Sequence, residues 1–400
     1  MSQQRPTLFD SSRLTMDDSL RLTIESMREH GPKHDHWAFA WSGGKDSTAT
    51  LTVIMHLIAA KKIPAPKRLT VCYADTRMEI TPLAYAAQQI IATLKSRRVD
   101  VRTVMAPLDD RFFVYMLGRG VPPPNNNTLR WCTSQIKVEP MQTELRRLVS
   151  QDSTPILMIT GVRLGESAAR DDRIALSCSR DGAECGQGWY QRMTGDGFAT
   201  LAPLIHWRVC HVWDWLRTFA PTKRYGRWPT ELIADAYGGD EAEEINARTG
   251  CICCPLASKD TALDAVIAMP LWSYLAPLKR LRAIYRALRE PRNRLRKPGG
   301  ESRKDGTLSR NQHRMGPLTM EARRWALAEI LAIQAEVNAA AEARGTIFVD
   351  ILNTEERLRI EELIEANTWP NRWTGDEPIA DEPYHEHGLD GLVQLNLLAN

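Results

Sequence analysis

Hydrophobic positions along the chain fall into two periods, and the switch between them marks out the elements. Residues 37–41, WAFAW, are a short apolar run that predicts a buried strand, and KDSTATLTVIMHLIAAKK beyond it carries apolar residues at helical spacing. The same succession follows downstream: RLTVCYAD predicts a strand, Thr81 to Arg97 a helix, VDVRTVM a strand and, after a further helical stretch, PILMITGVR another strand. Strands alternating with helices predict an α/β fold, doubly wound about a mostly parallel sheet with right-handed connections. In such a sheet ligands collect at the carboxyl ends of the strands. Upstream, MDDSLRLTIESMREHG reads as a helix with an acidic first turn and Gly31 as its stop.

From about Ala262 to Asn367 the chain is rich in Ala, Leu, Arg and Glu at helical spacing, which adds a C-terminal helical region. RKPGGESRKDGTLSRNQHRMG interrupts it and reads as a mobile loop. Beyond Trp369 a Pro-rich, acidic tail is expected to be extended or ordered only by docking. Four segments result: an N-terminal helical segment over 1–30, an α/β domain with the cysteine cluster over 31–261, the helical region with its basic loop over 262–367, and the tail over 368–400.

At 400 residues, 43% hydrophobic and 25% charged, the composition is that of a soluble globular protein. No apolar run approaches the roughly 18 residues of a membrane span, and MSQQRPTLFDSSR lacks the apolar centre of a signal peptide, so a cytoplasmic protein with no membrane partner is expected. Net charge is only +3, but Lys279 to Arg314 holds thirteen Lys and Arg against three acidic residues. That segment fits either an ordinary solvated helix and loop or a surface for nucleic-acid phosphates. The eight cysteines are not paired along the chain as a secreted disulfide framework would be, and Cys251, Cys253 and Cys254 crowd into TGCICCP. In a reducing compartment that pattern points to metal or catalysis.

Ser42-Gly43-Gly44 stands between a predicted strand and a predicted helix, where glycines let the backbone turn sharply and approach a ligand. The helix-start N–H groups, Lys45 and the hydroxyls of Ser42 and Ser47 then suit phosphate oxygens. The spacing is neither that of the P-loop nor G-x-G-x-x-G. SGGKDS resembles the PP-loop of ATP pyrophosphatases, which cleave ATP between its α and β phosphates. Asp75-Thr76 in CYADTRMEI, RWCTSQIKVEP, GVRLGESAAR, PLIHWRVCHVWDWL and TGCICCP then resemble, in order, the motifs of the PAPS-reductase-like group. The resemblance covers Trp37 to Pro255 and implies an adenine nucleotide alpha hydrolase-like PP-loop domain that binds ATP and Mg2+.

On that resemblance Ser42, Gly43, Gly44, Lys45, Asp46, Ser47, Asp75, Thr76, Gly161, Arg163, Glu166 and Ser167 bind the nucleotide, with Lys45, Asp46, Ser47, Arg163 and Arg170 catalytic. Arg163, Glu166 and Arg170 fit equally a solvated helix face, and Asp75 an Asx turn ending a strand. Trp207, Trp213 and Trp215 fit core packing or base stacking. Four thiolates commonly mean zinc, but ligands scattered over more than 100 residues suit an iron–sulfur cluster better. Related sulfonucleotide reductases imply a [4Fe–4S] cluster on Cys132, Cys251 and Cys254, with Cys185 as fourth ligand and Cys178 and Cys253 as rivals. Cys72 and Cys210 sit in apolar settings and read as inert core thiols.

Two departures from the reductases matter. Their PP-loop is degraded and their catalytic Glu-Cys-Gly lies near the C-terminus, whereas here SGGKDS is complete and Glu184-Cys185-Gly186 lies mid-chain. The set is similar to the DNA phosphorothioation (sulfur modification) ATP pyrophosphatases of the DndC/SspD type. That implies adenylation of a DNA backbone phosphate with release of pyrophosphate, replacement of a non-bridging oxygen by sulfur, and as partners DNA, a cysteine desulfurase and other phosphorothioation subunits. The alternatives are a sulfonucleotide (PAPS or APS) reductase, a tRNA-thiolating relative, or a non-catalytic iron–sulfur nucleic-acid-binding subunit.

Overall fold

A strand covered on both faces needs apolar residues without alternation, and β1 (His36–Trp41) meets that need by burying five of its six residues. It lies inside a six-stranded sheet with β2 (Arg68–Ala74), β3 (Asp100–Val104), β4 (Ile156–Thr160), β5 (Trp189–Arg192) and β6 (Phe198–Ala202), in the order β3-β2-β1-β4-β6-β5. Every neighbouring pair is parallel except β5 with β6. The doubly wound, mostly parallel α/β fold is therefore present as expected. The hairpin β5–β6, which no strand expectation covered, supplies the antiparallel edge.

The structure, a computed structural model, describes residues 14–125, 129–151, 155–164, 189–192, 197–238, 250–297, 307, 314–380, 386–387 and 393–394. The chain divides into two units, each assembled from separate stretches: 1–75, 79–104 and 140–249 form the first, and 76–78, 105–139 and 250–400 the second.

In the first unit the helices α1 (Met16–His30), α2 (Lys45–Ala59), α3 (Thr81–Ser96) and α4 (Glu139–Gln151) accompany the sheet. One sheet face is a single apolar cluster in which Ala38, Cys72, Val104, Ile156 and Phe198, one from each parallel strand, meet Leu145 and Leu148 of α4. Helix α1 starts at a capping box formed by Thr15 and Asp18. It ends at His30, but Gly31 keeps right-handed helical angles and does not end it as a left-handed cap. The glycine is needed for space: a Cβ there would lie 2.5 Å from the Trp37 indole.

The second unit contains the expected helical region: Thr261–Ala268, a 3-10 stretch over Pro270–Arg280, Leu281–Ala287, Met320–Arg344 and Thr354–Glu365. Arg323, fully buried, ties the third of these α-helices to a π turn (Val114–Gly118) by donating to the carbonyls of Leu117 at 2.6 Å and of Gly118. Arg359 clamps Asp109 with two hydrogen bonds of 2.6 and 2.8 Å. The start of the tail docks: Ala380 donates to the Arg294 carbonyl at 2.8 Å and Arg296 to that of Pro378 at 2.9 Å. Most of the loop expected at 296–316 lies outside the described residues.

Candidate functional site

In the first unit the strand order reverses beside β1, with β2 and β3 to one side and β4 and β6 to the other. The crevice at such a switch point, at the carboxyl ends of the strands, is where open α/β sheets bind ligands. Residues 42–44 leave β1 there, and Gly161 leaves β4. Gly43 has φ +75°, which disfavours a side chain. A Cβ on Gly161 would stand 2.6 Å from the Ser47 nitrogen and Cα, so only glycine lets the exit of β4 run against the first turn of α2.

The loop is braced by its own hydroxyls. Ser47 Oγ donates to the Gly44 carbonyl at 3.1 Å and accepts the Ser42 N–H at 3.3 Å, with Ser42 Oγ 3.2 Å away. Thr48 Oγ1 donates to the Gly43 carbonyl at 3.1 Å and accepts the Trp41 indole N–H at 2.9 Å. The Ser42 and Ser47 hydroxyls thus shape the loop in this state. Gly44 caps α2 without a side-chain bond, leaving the helix start to other acceptors.

Charge gathers at the same point. The Lys45 ammonium stands 3.3 Å from one Asp46 oxygen, and Arg163 Nε donates to the other at 2.5 Å. Arg163 is buried at 3% exposure and also donates to the Trp207 carbonyl at 3.0 Å, so it is a fixed part of the loop's wall. One carboxylate between two cations leaves net positive charge at a helix N-terminus, the electrostatics an anion requires. Tyr237, which the motifs did not single out, completes the site: its hydroxyl accepts the Lys45 backbone N–H at 3.1 Å and its ring lies 4.6 Å under the Lys45 ammonium. The only sequence signal for it is an aromatic residue before Gly238-Gly239.

Other expected residues take varied places. Asp75 donates its N–H to the Val104 carbonyl at 2.9 Å, continuing the ladder past β2. Thr76, in the second unit, accepts the Met78 N–H at 3.3 Å in a local turn. Trp207, Trp213 and Trp215 are buried to within 2% exposure, with the Trp207 and Trp215 indoles donating to Thr23 and Thr52, which is packing. Glu166, Ser167, Arg170, Cys178 and Cys185 lie outside the described residues.

The other expected ligands belong to the second unit. Cys254 donates its N–H to the Cys251 carbonyl at 3.2 Å, a turn that brackets the C-x-x-C pair. Cys253 inside it has φ 49° and is buried, and its thiol donates to the Leu278 carbonyl at 3.0 Å. Burial pushes that thiol's pKa well up, the behaviour of a protonated structural thiol. Cys132 sits on the helical turn Trp131–Thr133, and its pKa is raised by burial and then by the charge of Cys254. Burial raises Tyr285 well above the phenol range, with the charges of Cys253, Cys251 and Cys254 adding to it. The three implied ligands therefore share one neighbourhood. Among the described residues, no three His, Cys, Asp or Glu side chains close into a metal-binding group. The donor set still fits a sulfur-rich anionic group: Arg282 and Arg289 donate to the Cys254, Ala257, Ser258 and Pro255 carbonyls around the pair, placing two cations beside it. In the first unit Cys72 is a core thiol as expected, pushed up to about 12 by burial, while Cys210 is half-buried.

Fold and loop together define an α/β domain of PP-loop type. Residues 36–220, a little under half of the chain, match the family model of the phosphoadenosine phosphosulfate reductase domain. An uncharacterized protein of Methanocaldococcus jannaschii is 23% identical over 220 residues, covering 54% of this chain and 41% of its own; the chain thus spans well under half of that relative's length. Among solved structures, a PAPS reductase from Candida auris in a phosphate complex matches at 13% identity, with 52% of this chain and 87% of that one covered and a TM-score of 0.32. FMN adenylyltransferase from Candida glabrata with FMN and the ATP analog AMPCPP matches at 15%, 53%, 60% and 0.33. The U34-tRNA thiolase of Methanococcus maripaludis with its [4Fe-4S] cluster matches at 13%, 68%, 79% and 0.34. No helix among the described residues is long and apolar enough to cross a membrane.

Proposed function

We propose that the protein is an ATP pyrophosphatase that activates a DNA backbone phosphate for replacement of a non-bridging oxygen by sulfur. The observation that carries this is the intact Ser-Gly-Gly-Lys-Asp-Ser turn at the switch point, with Lys45 and Arg163 both fixed on Asp46. A phosphodiester oxygen is a poor leaving group, so it must first be made into an adenylate. The DNA oxygen attacks the α-phosphorus of ATP, the bond to the bridging oxygen breaks, and pyrophosphate leaves. Lys45, the α2 N-terminus and Arg163 offset the charge that develops on it. Magnesium bound to the triphosphate supplies further Lewis-acid charge. A persulfide sulfur from a cysteine desulfurase then attacks the adenylated phosphorus and displaces AMP, and a second thiol reduces the remaining S–S bond.

Cys132, Cys251 and Cys254 are the described residues that would hold a [4Fe–4S] cluster, which would supply a redox-active, sulfur-binding centre. DNA contact is assigned to the basic stretch 279–314, although several of its described cations are already engaged: Lys279 with Asp264, Arg280 with Glu336, Arg292 with Glu290, and Arg294 with the Gly316 carbonyl. Binding through the remainder weakens steeply with salt.

The test is anaerobic release of pyrophosphate from Mg-ATP with and without DNA. The expected result is release stimulated by DNA and reduced roughly 10²–10³-fold by Lys45→Ala, the usual cost of losing one transition-state donor. Sulfite release from a sulfonucleotide without ATP consumption would instead identify a reductase. No pyrophosphate with DNA, RNA or a sulfur donor present would end the ATP pyrophosphatase proposal.

A further inference from the structure

The helical segment beside the cysteine turn presents one face to it. Leu278 in the 3-10 stretch, Arg282 and Tyr285 in the α-helix Leu281–Ala287 and Arg289 just past its end recur at spacings of four, three and four. Three of the four touch the turn directly. The Leu278 carbonyl accepts the Cys253 thiol at 3.0 Å, Arg282 donates to the Cys254 carbonyl at 3.4 Å, and Arg289 donates to the Pro255 carbonyl at 2.9 Å. Tyr285 stands inside that series at 1% exposure, and its hydroxyl is buried with no hydrogen-bond partner. Its ring also packs edge-on against Phe112 at 6.0 Å, and Phe112 lies 5.2 Å from Trp131, the neighbour of Cys132 in sequence.

A buried hydroxyl without a partner is costly, and a phenylalanine would fill the same space without that cost. The oxygen therefore calls for a partner that joins the site. We propose that the Tyr285 hydroxyl donates a hydrogen bond to sulfur of the metal–sulfur group held by Cys132, Cys251 and Cys254, and is the positioning residue that sets that group's redox properties. This rests on those cysteines holding such a group. The arginines on this face spend other donors on backbone carbonyls, and the buried donors left without a partner here are the Tyr285 hydroxyl, the one neutral group, and Arg289 Nε. Hydrogen bonds to cluster or thiolate sulfur stabilise the more negative, reduced state, so their removal lowers the potential.

The experiment uses the full-length chain and its Tyr285→Phe variant, each reconstituted anaerobically with iron and sulfide. Iron and sulfide per chain, the reduction potential and the melting temperature are measured with the group loaded and after its removal. We expect equal iron and sulfide in both chains and a variant about tenfold harder to reduce at fixed potential, which is ~59 mV more negative for one electron. We also expect the unloaded variant to melt at or above the unloaded wild type, and the loaded variant to melt below the loaded wild type. The melting crossover needs no activity and shows directly whether the variant folds. Equal potentials and parallel melting shifts, with iron and sulfide bound, would overturn the Tyr285 assignment alone. Absence of a bound metal–sulfur group in the wild type would overturn the cysteine assignment and the Tyr285 assignment with it.

Discussion

The loop at residues 42–48 carries most of its own bracing, whereas the cysteine turn at 251–254 borrows its from far along the chain. In the loop, Ser42, Ser47 and Thr48 bond to backbone within five residues, and Trp41 closes the set. At the turn, the supports are Leu278, Arg282 and Arg289, up to 34 residues away, and the third thiol of the proposed set is Cys132. Short-range bracing costs little chain entropy and survives in a loop at a strand tip; long-range bracing makes the site a product of the second unit's packing. The proposed nucleotide site should thus respond to backbone geometry, and the proposed thiol site to which sulfur is removed.

The largest expected effect breaks the apparent equivalence of the cysteines in the turn. Cys254→Ser should abolish iron retention after anaerobic reconstitution, as should Cys132→Ser. Cys253→Ser should leave it near the wild-type level, because that thiol is committed to the Leu278 carbonyl. Iron and sulfide analysis on gel-filtered protein reads the difference. Iron lost equally from Cys253→Ser and Cys254→Ser would mean that the turn refolds around the metal and that the Leu278 bond does not decide the ligands.

A smaller effect tests the loop. Gly161→Ala places a Cβ 2.6 Å from Ser47 backbone that cannot rotate away, so β4 or α2 must shift. The expected cost is about 1–3 kcal/mol of stability, as for overpacking elsewhere, with weakened ATP binding out of proportion to that loss. Urea unfolding together with equilibrium binding of a non-hydrolysable ATP analogue separates the two. Unchanged binding would show that the first turn of α2 does not meet the nucleotide.

These differences also explain what could be seen before the fold was known. Strands β1 to β4 and the loop were legible because apolar runs, glycines and a cation lie within a few residues of one another. Strand β5 was not, since WYQR at an antiparallel edge has no apolar run to mark it. Gly31 was visible as a break, but its cause is the Trp37 ring, a tertiary contact no local pattern encodes. Tyr237 reaches Lys45 across 192 residues, and Tyr285 is marked only by a stripe whose partner, the cysteine turn, had to be found first. The fold of 76–78 and 105–139 with the C-terminal half is likewise a consequence of contacts and not of composition.

The smallest expected effect separates the two units by pH. In the first unit His56, His206 and His211 all have pKa values lowered by burial, with Arg224 adding to the effect at His56 and Arg208 at His211. His211 accepts Arg208 N–H groups at Nε2, at 3.1 and 3.3 Å, so Nδ1 carries the proton and donates to Ser19 Oγ at 3.2 Å. Asp214 and His206 also act on this ring, Asp214 raising its pKa and His206 lowering it. A histidine held neutral in the folded state contributes its full stability above the unfolded value of 6.5. As pH falls through 6.5 the unfolded chain takes up the proton first and stability declines, levelling off below the lowered folded value. In the second unit the buried groups with large shifts are Arg294 and Arg323, lowered only to about 10, and Cys253 and Tyr285, pushed up, so none of them titrates in this window. Between pH 7 and 5.5, amide protection relative to intrinsic exchange should fall in α1 and β1 while the helix Met320–Arg344 keeps its protection. His211→Gln should flatten part of the slope, whereas equal loss of protection in both units would mean that other groups control it.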